Sequence, residues 1–500
     1  MCSRKIPLLI VLLLLAFVSV SLGQTFEDIE RQVKEYTLSN GMKFIVLERH
    51  EAPVVSFHTY VDVGSANESY GITGISHLLE HMAFKGTKII GTTDYETESR
   101  VLAKLDSIYL ELSRERHKGA QADSARIALL EKAFEETRQE AKKYVINNDF
   151  FDILMKAGGT GINAYTGADA THYICSLPSN KVELWMATES DRFLNFVPRE
   201  FYKEKEVVME ERRLRIETRP AGRVYEEFLT AAFKAHPYHH PVIGHMSDIQ
   251  AITRQDVIDY FRRYYIPSNM VVAIVGDVKA EEIFKMAEIY FGRIPSGPKP
   301  EPVRTVEPPQ QGERWVRVEA KAQPLLYVGY HRPQIYPHPE DLVFDAIASI
   351  LGEGRTSRLY KKLVKETKIA TAVYVGNGFP GIKFPNLFVI SALPSKGHTA
   401  EECLKLIDEE IERLKSEPVS QRELAKFKRK FKRGWLDGMK SNRGMARILA
   451  TQEGLMGDWR LLFRMLKDVD KVTAEDVQQV AKKYLVRKNR TVAELVTVKD

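Results

Sequence analysis

Gly74-Ile75-Ser76-His77-Leu78-Leu79-Glu80-His81-Met82-Ala83-Phe84-Lys85-Gly86-Thr87 is the stretch on which the reading of this chain turns. Read as a helix, Gly74–Lys85 places His77 and His81 one turn apart on a single face. Both imidazoles then point at one Zn²⁺, and Glu80 stands beside them to take a proton from a water. Such a centre needs a third protein ligand and one open coordination position.

A carboxylate on a second, facing helix is the expected third ligand. Glu204-Lys205-Glu206-Val207-Val208-Met209-Glu210-Glu211 is charged and helix-favouring, with an apolar stripe at Val207 and Val208. Glu204 and Glu211 lie two turns apart and share a face, so either can ligate while the other orients the site. The order of the first motif, H-x-x-E-H, is the inverse of the commoner H-E-x-x-H.

With these residues in view, the chain resembles the pitrilysin-type (inverzincin) zinc metallopeptidases, which include insulysin and mitochondrial processing peptidase. Residues 74–87 resemble the family's zinc helix. Residues 158–173 (GGTGINAYTGADATHY) resemble the strand that follows it, and 204–211 (EKEVVMEE) the third-ligand helix. Residues 236–244 (HPYHHPVIG) and 264–278 (YYIPSNMVVAIVGDV) match the end of the family's N-terminal domain, and 351–360 (LGEGRTSRLY) its C-terminal half. The resemblance implies His77, His81 and Glu211 as ligands of one Zn²⁺ per chain. It also implies Glu80 as general base, Glu204 as supporting carboxylate, and Asn163 and Ala164 on an edge strand that pairs with an extended peptide. It further implies an α+β fold of two duplicated domains closing as a clamshell over short or unfolded peptides.

Two departures from the family stand out. The separation of His81 from Glu211 is about fifty residues longer than usual, and the excess lies near residues 98–150. V-L-A-K-L-D-S-I-Y-L-E-L and A-R-I-A-L-L-E-K-A-F-E-E in that region show helical apolar spacing around K-G-A-Q-A-D, which predicts an inserted helical hairpin. It could cover the site, contact a partner or decorate the surface, and surface decoration is the default. The second departure concerns activity. Fully equipped members carry an Arg and, seven residues later, a Tyr in the C-terminal half; through Ser357-Arg358-Leu359 those positions here are Val364 and Thr371. An oxyanion donor is worth roughly 3–4 kcal/mol of barrier, and neither residue supplies a charge-assisted one. On a regular strand Tyr374 would face the opposite side from position 371. In the family's two-subunit members a related chain without zinc supplies the missing groups. The resemblance is therefore to the zinc-binding subunit of bacterial two-subunit relatives, with a homologous partner expected. The alternative is a non-hydrolytic zinc-containing binding or assembly subunit.

The ends and joints of the chain complete the organisation. Arg4 and Lys5 precede the apolar run Ile6–Val18, and Ser21-Leu22-Gly23 offers small residues before Gln24, which predicts a signal peptide over 1–23 and an extracytoplasmic, periplasmic or secreted protein with no stable membrane span. Pro-rich residues 294–312 predict a semi-rigid linker between an N-terminal zinc-binding domain, 24–293, and a C-terminal inactive-type domain, 313–500. The formal charge of +6 includes Arg4 and Lys5 and is spread among many acids, giving no case for nucleic-acid binding. Cys175 and Cys403 fall one in each half, so disulfide stapling is not the strategy. His236, His239, His240 and His245 cluster at a spacing that fits no helix face, and Gly352 and Gly354 lack the G-K-[ST] of a phosphate loop.

Overall fold

The computed structural model describes residues 26–498; the predicted signal peptide lies outside them. Two mixed sheets, each backed by helices, organise the chain. The first contains β1 (Lys34–Thr37), β2 (Lys43–Glu48), β3 (Val54–Val61), β4 (Thr160–Thr166), β5 (Thr171–Pro178) and β6 (Met270–Gly276), in the order β1-β2-β6-β3-β5-β4. The second contains β7 (Arg314–Ala320), β8 (Leu325–Arg332), β9 (Ala370–Phe379), β10 (Asn386–Pro394) and β11 (Arg490–Thr497), in the order β7-β11-β8-β10-β9.

The two orders are the same fold written twice. In each half the first core strand pairs parallel with the last (β2 with β6, β7 with β11), and all the other neighbours are antiparallel. β4 and β9 are the corresponding outer strands. Duplication, invisible in the letters, is explicit in the topology.

Six helices position the site: α1 (Ile75–Met82), α2 (Tyr95–His117), α3 (Ser124–Lys142), α4 (Phe201–Arg212), α5 (Pro220–Ala232) and α6 (Asn442–Met456). α5, from the first half, packs on β7 and β11 of the second, while α6, from the second half, packs on β3 and β6 of the first. Val224, Phe228, Leu229 and Ala232 of α5 share a buried cluster with Leu387, Val389, Ala493 and Leu495. Ala446, Leu449 and Ala450 of α6 share another with Ile45, Tyr60, Val271 and Ala273. Each exchange relies on a glycine that lets an aromatic ring approach the backbone closely. A Cβ on Gly454 of α6 would sit 2.2 Å from the Tyr60 ring, and one on Gly329 of β8 would sit 2.6 Å from the Phe228 ring.

Polar contacts add to this interlock. Lys43 meets Glu453 at 2.7 Å, Arg460 meets Glu35 at 2.9 Å, and Lys383 meets Asp62 at 2.5 Å. The Pro-rich segment joining the halves carries no regular element, but Glu307 accepts from the backbone amides of Lys234, Ala235 and His236 and ties it to the end of α5. Cys175 and Cys403 are free and buried in different clusters.

The insertion forms two long helices, α2 and α3, packed against each other. The expectation of surface decoration is corrected for α2. Its first turns bury Glu98, Val101, Leu102 and Leu105, and Asp106 accepts from Tyr202 of α4 at 2.9 Å. Arg199, 1% exposed, pairs with Glu98 at 2.5 Å and donates to the carbonyls of Lys85, Thr87 and Ile90 just beyond α1. One buried guanidinium thus fastens the insertion to the segments after α1 and before α4. α3 is mostly exposed and buries only Thr137 and Ala141.

Candidate metal centre and its edge strand

α1 is only two turns long, too short to stand without outside support. It takes that support from packing and from a borrowed cap. Ile75, Leu78, Leu79 and Met82 are fully buried. Gly74 precedes it at φ +90, and a Cβ there would lie 2.4 Å from the Ile243 carbonyl. The orphan amides of the first turn are satisfied by Glu68, which accepts from Gly74 N at 2.7 Å and Ser76 N at 2.9 Å.

α4 packs against α1 and presents Glu204 and Glu211 to it. The predicted apolar stripe is half right: Val208 is fully buried, whereas Val207 is exposed. Charged residues dominate α4 because its polar side forms the site. Past Arg212 the backbone widens into a π-helical stretch over Arg213–Glu217, and Arg215 reaches back to Glu211 at 2.7 Å.

His77, His81 and Glu211 each offer a donor atom, and these atoms lie within 4.8 Å of one another; no other such group of metal-binding side chains occurs among the described residues. The histidine cluster at 236–245 is therefore not one. Glu211 Oε2 is 3.8 Å from His77 Nε2 and 3.7 Å from His81 Nε2. A tetrahedral Zn²⁺ with bonds of ~2.0–2.1 Å sets its ligands roughly 3.4 Å apart, so the two contacts of Glu211 need to contract by only a few tenths of an ångström to hold it. Burial pushes His77 down to about 3, with the neighbouring His81 and Arg215 adding to the effect, so its imidazole is neutral and its lone pair free. Two nitrogens and one carboxylate oxygen are the donor set of a zinc hydrolase centre. The residues fit the ion.

The surrounding groups fix the ligands. Glu204 Oε2 lies 3.5 Å from His81 Nδ1 and its Oε1 2.5 Å from Lys85 Nζ. Burial alone would raise the Glu204 carboxyl, but His81 and Lys85 outweigh it and hold it down at about 2. Burial alone would lower His81; Glu204, Glu211 and Glu80 outweigh it and raise the imidazole. Glu80 does not join the cluster. It is shifted upward, chiefly by burial, and its Oε2 accepts a 2.6 Å hydrogen bond from Thr166 Oγ1.

Thr166 ends β4, the outermost strand of the first sheet. Asn163 on that strand is exposed and Ala164 is buried against the cluster that holds α1. Sequence reasoning placed Asn163 and Ala164 on an edge strand but missed Thr166 two residues on, although it lies within the motif 158–173. It also missed Glu68, Lys85 and Arg215, whose relation to the site depends on three-dimensional packing.

Val364 lies half-buried against the second half's core, and Thr371 Oγ1 donates to the Leu393 carbonyl at 3.2 Å. Neither supplies a charged donor. Tyr374 is not set opposite Thr371 by regular alternation: β9 bulges at Thr371, with Ala370 opposite Pro394 and Ala372 opposite Leu393, and both Thr371 and Tyr374 are exposed.

A duplicated α+β clamshell with a His/His/Glu centre on two facing helices defines a class of zinc proteases. A family model described as Insulinase (Peptidase family M16) matches residues 43–104, and one described as Peptidase M16 inactive domain matches residues 251–431. Both halves of the chain are thus similar to M16, insulinase or pitrilysin-type, proteases. It is 28% identical over 461 residues to the zinc protease PqqE of Helicobacter pylori, covering 90% of this chain and 89% of that protein. The crystal structure of a protease from Helicobacter pylori matches with a TM-score of 0.77 and 25% identity, covering 93% of this chain and 99% of that one. The periplasmic protease PqqL from Escherichia coli shares the fold at 15% identity and a TM-score of 0.68, covering 93% of this chain but 47% of that chain.

Proposed function

We propose that this chain is a zinc-dependent endopeptidase acting on short or unfolded peptides, and that a homologous, peptidase-like partner completes its activity. The observation that carries the reading is the convergence of His77 Nε2, His81 Nε2 and Glu211 Oε2, with Glu80 held beside them by Thr166. A bound Zn²⁺ would supply Lewis-acid polarisation of the peptide carbonyl and an activated water. Glu80 accepts the proton of the attacking water and hands it to the leaving amine. Its upward shift, caused chiefly by burial, suits a group that must both take and return a proton. Glu204 orients His81, and Arg215 orients Glu211. Asn163 and Ala164 lie on β4, the outermost strand of the sheet, to whose outer edge an extended substrate can add as a further strand.

The need for a partner rests on Val364 and Thr371, which leave the oxyanion without an Arg and Tyr from this chain. The double-length chain of the Escherichia coli protein, half of which matches this one, supports a pairing of two such units. The signal-like N-terminus supports an extracytoplasmic location, and among the described residues no helix is long and apolar enough to cross a membrane. The same two positions also favour a second reading, a zinc-containing binding or assembly subunit without hydrolysis.

Peptide hydrolysis by the zinc-loaded chain, alone and with a co-encoded homologue, beside Glu80→Gln, separates these readings. Cleavage only on mixing, lost in a Glu80→Gln protein that retains zinc, supports the partnered peptidase. Cleavage by the chain alone overturns the need for a partner. Zinc-loaded proteins that together cut no member of a broad peptide library leave the binding subunit.

A further inference from the structure

Two arginines on α6 take no part in the site described so far. Arg443 and Arg447 lie one turn apart and are both exposed, and neither forms a hydrogen bond or ion pair among the described residues. The buried arginines Arg199, Arg212 and Arg490 are closely paired, whereas exposed ones such as Arg219 and Arg422 are, like these two, without a partner among the described residues. The apolar side of α6 (Met445, Ala446, Leu449, Ala450) is buried in the core shared with the first sheet, which leaves the arginines outside it.

Their position relative to β4 is specific. Arg443 lies over the backbone of Gly161: a Cβ built there would be 2.5 Å from Arg443 Nη1 and 3.1 Å from its Cζ. Gly161 has φ +59 and sits where β4 slips register against β5, so the strand bulges under the guanidinium. The charges of Arg447 and Arg443 both reach the Tyr165 ring, and that of Arg447 also reaches His172, on which Tyr165 stacks at 4.4 Å. Arg447 further lines a cavity of about 660 Å³ whose walls include Tyr374, Phe431 and Trp435. The residue after Tyr165 is Thr166, which holds Glu80. One strand therefore runs from Thr166, which holds Glu80, to Gly161 under Arg443 roughly 15 Å away, with the charge of Arg447 reaching Tyr165 in between.

We propose that Arg443 and Arg447 form a carboxylate-recognising subsite for the peptide laid along β4. It takes an acidic side chain, or the peptide's own C-terminal carboxylate, within about five residues of the bond that is cut. The inference rests on the peptidase reading. Guanidinium groups recognise carboxylates through paired, directed hydrogen bonds, and two of them side by side repel a basic peptide. Because both are solvent-exposed, the attraction is screened by salt.

The test uses zinc-loaded Glu80→Gln protein and fluorescent peptides read by anisotropy. One neutral parent peptide is compared with versions carrying Glu, Gln or Lys at each position, with the C-terminus free or amidated. A carboxylate tightens binding about tenfold at low salt, and the gain shrinks as salt rises. Dependence on amidation identifies the terminus as the source, and dependence on the position of Glu identifies a side chain. The preference disappears in Arg443→Gln/Arg447→Gln and turns toward Lys in Arg447→Glu, an inversion that misfolding cannot imitate. Equal binding of Glu, Gln and amidated peptides, or a preference that survives the double substitution, overturns the subsite. Hydrolysis of the neutral parent by unmodified zinc enzyme with its partner is measured alongside. Cleavage without carboxylate preference removes the subsite and keeps the peptidase; preference without any cleavage does the reverse.

Discussion

Thr166 Oγ1 donates a 2.6 Å hydrogen bond to Glu80 Oε2, joining the outer strand of the first sheet to the helix that carries both imidazoles. The contact couples two jobs, since the strand proposed to hold the peptide also aims the proposed general base. Thr166→Val keeps the side-chain shape and removes the donor. A hydrogen bond to a charged group is worth about 1.5–3 kcal/mol, so kcat should fall roughly 10- to 100-fold with zinc content unchanged. An unchanged kcat at full zinc occupancy would show that Glu80 needs no such restraint.

Glu204 contacts His81 Nδ1 and Lys85 and does not reach the convergence point itself. Supporting groups of this kind typically change metal affinity by about 10- to 100-fold. Glu204→Gln should therefore weaken zinc binding in a chelator competition by that factor, while Glu211→Gln should abolish stable occupancy. Equal losses in the two variants would make Glu204 a ligand.

Arg199 and Glu98 form a buried pair, 1% and 0% exposed. Removing one partner strands the other charge in the interior, which costs about 3–5 kcal/mol. Arg199→Ala should lose stability on that scale in urea unfolding, because three backbone carbonyls also lose their donor. A loss below about 1 kcal/mol would mean that the insertion is fastened elsewhere.

Glu35 joins the two halves through Arg460 and Trp459 and also meets Lys43 of its own half. Burial would raise its carboxyl, but the hydrogen bonds from Arg460, Trp459 and Lys43 outweigh that and lower it from 4.5 to about 2. A depressed carboxylate contributes stability that is complete above the unfolded value and is lost as pH falls through the folded one. The Tm advantage of wild type over Glu35→Gln should therefore hold at about pH 6 and shrink between 4.5 and 2. An advantage independent of pH would assign the effect of Glu35 to packing.

The centre was legible where its parts are local. His77, Glu80 and His81 are fixed relative to one another by a helical turn, and Glu204 and Glu211 by two turns, so spacing alone orders them. The Pro-rich run 294–312, which carries no regular element in the structure, was visible for the same reason, since proline acts over a few residues. Val207 was misread because alternation around a helix does not say which side meets solvent when the buried side is itself polar. The bulge at Thr371 escaped because a slip of register leaves no mark in composition.

The sequence by itself determined which residue types stand one or two helical turns apart, and hence the histidine pair on α1 and the glutamate pair on α4. Only the tertiary structure brought those helices face to face, borrowed Glu68 to cap α1, set Thr166 against Glu80, and exchanged α5 and α6 between the halves. The physical reason is separation along the chain. Contacts between Glu80 and Thr166, or between Gly161 and Arg443, span 86 residues in the first case and the junction of the two halves in the second. Such contacts follow from the packing of whole layers, which no local spacing encodes.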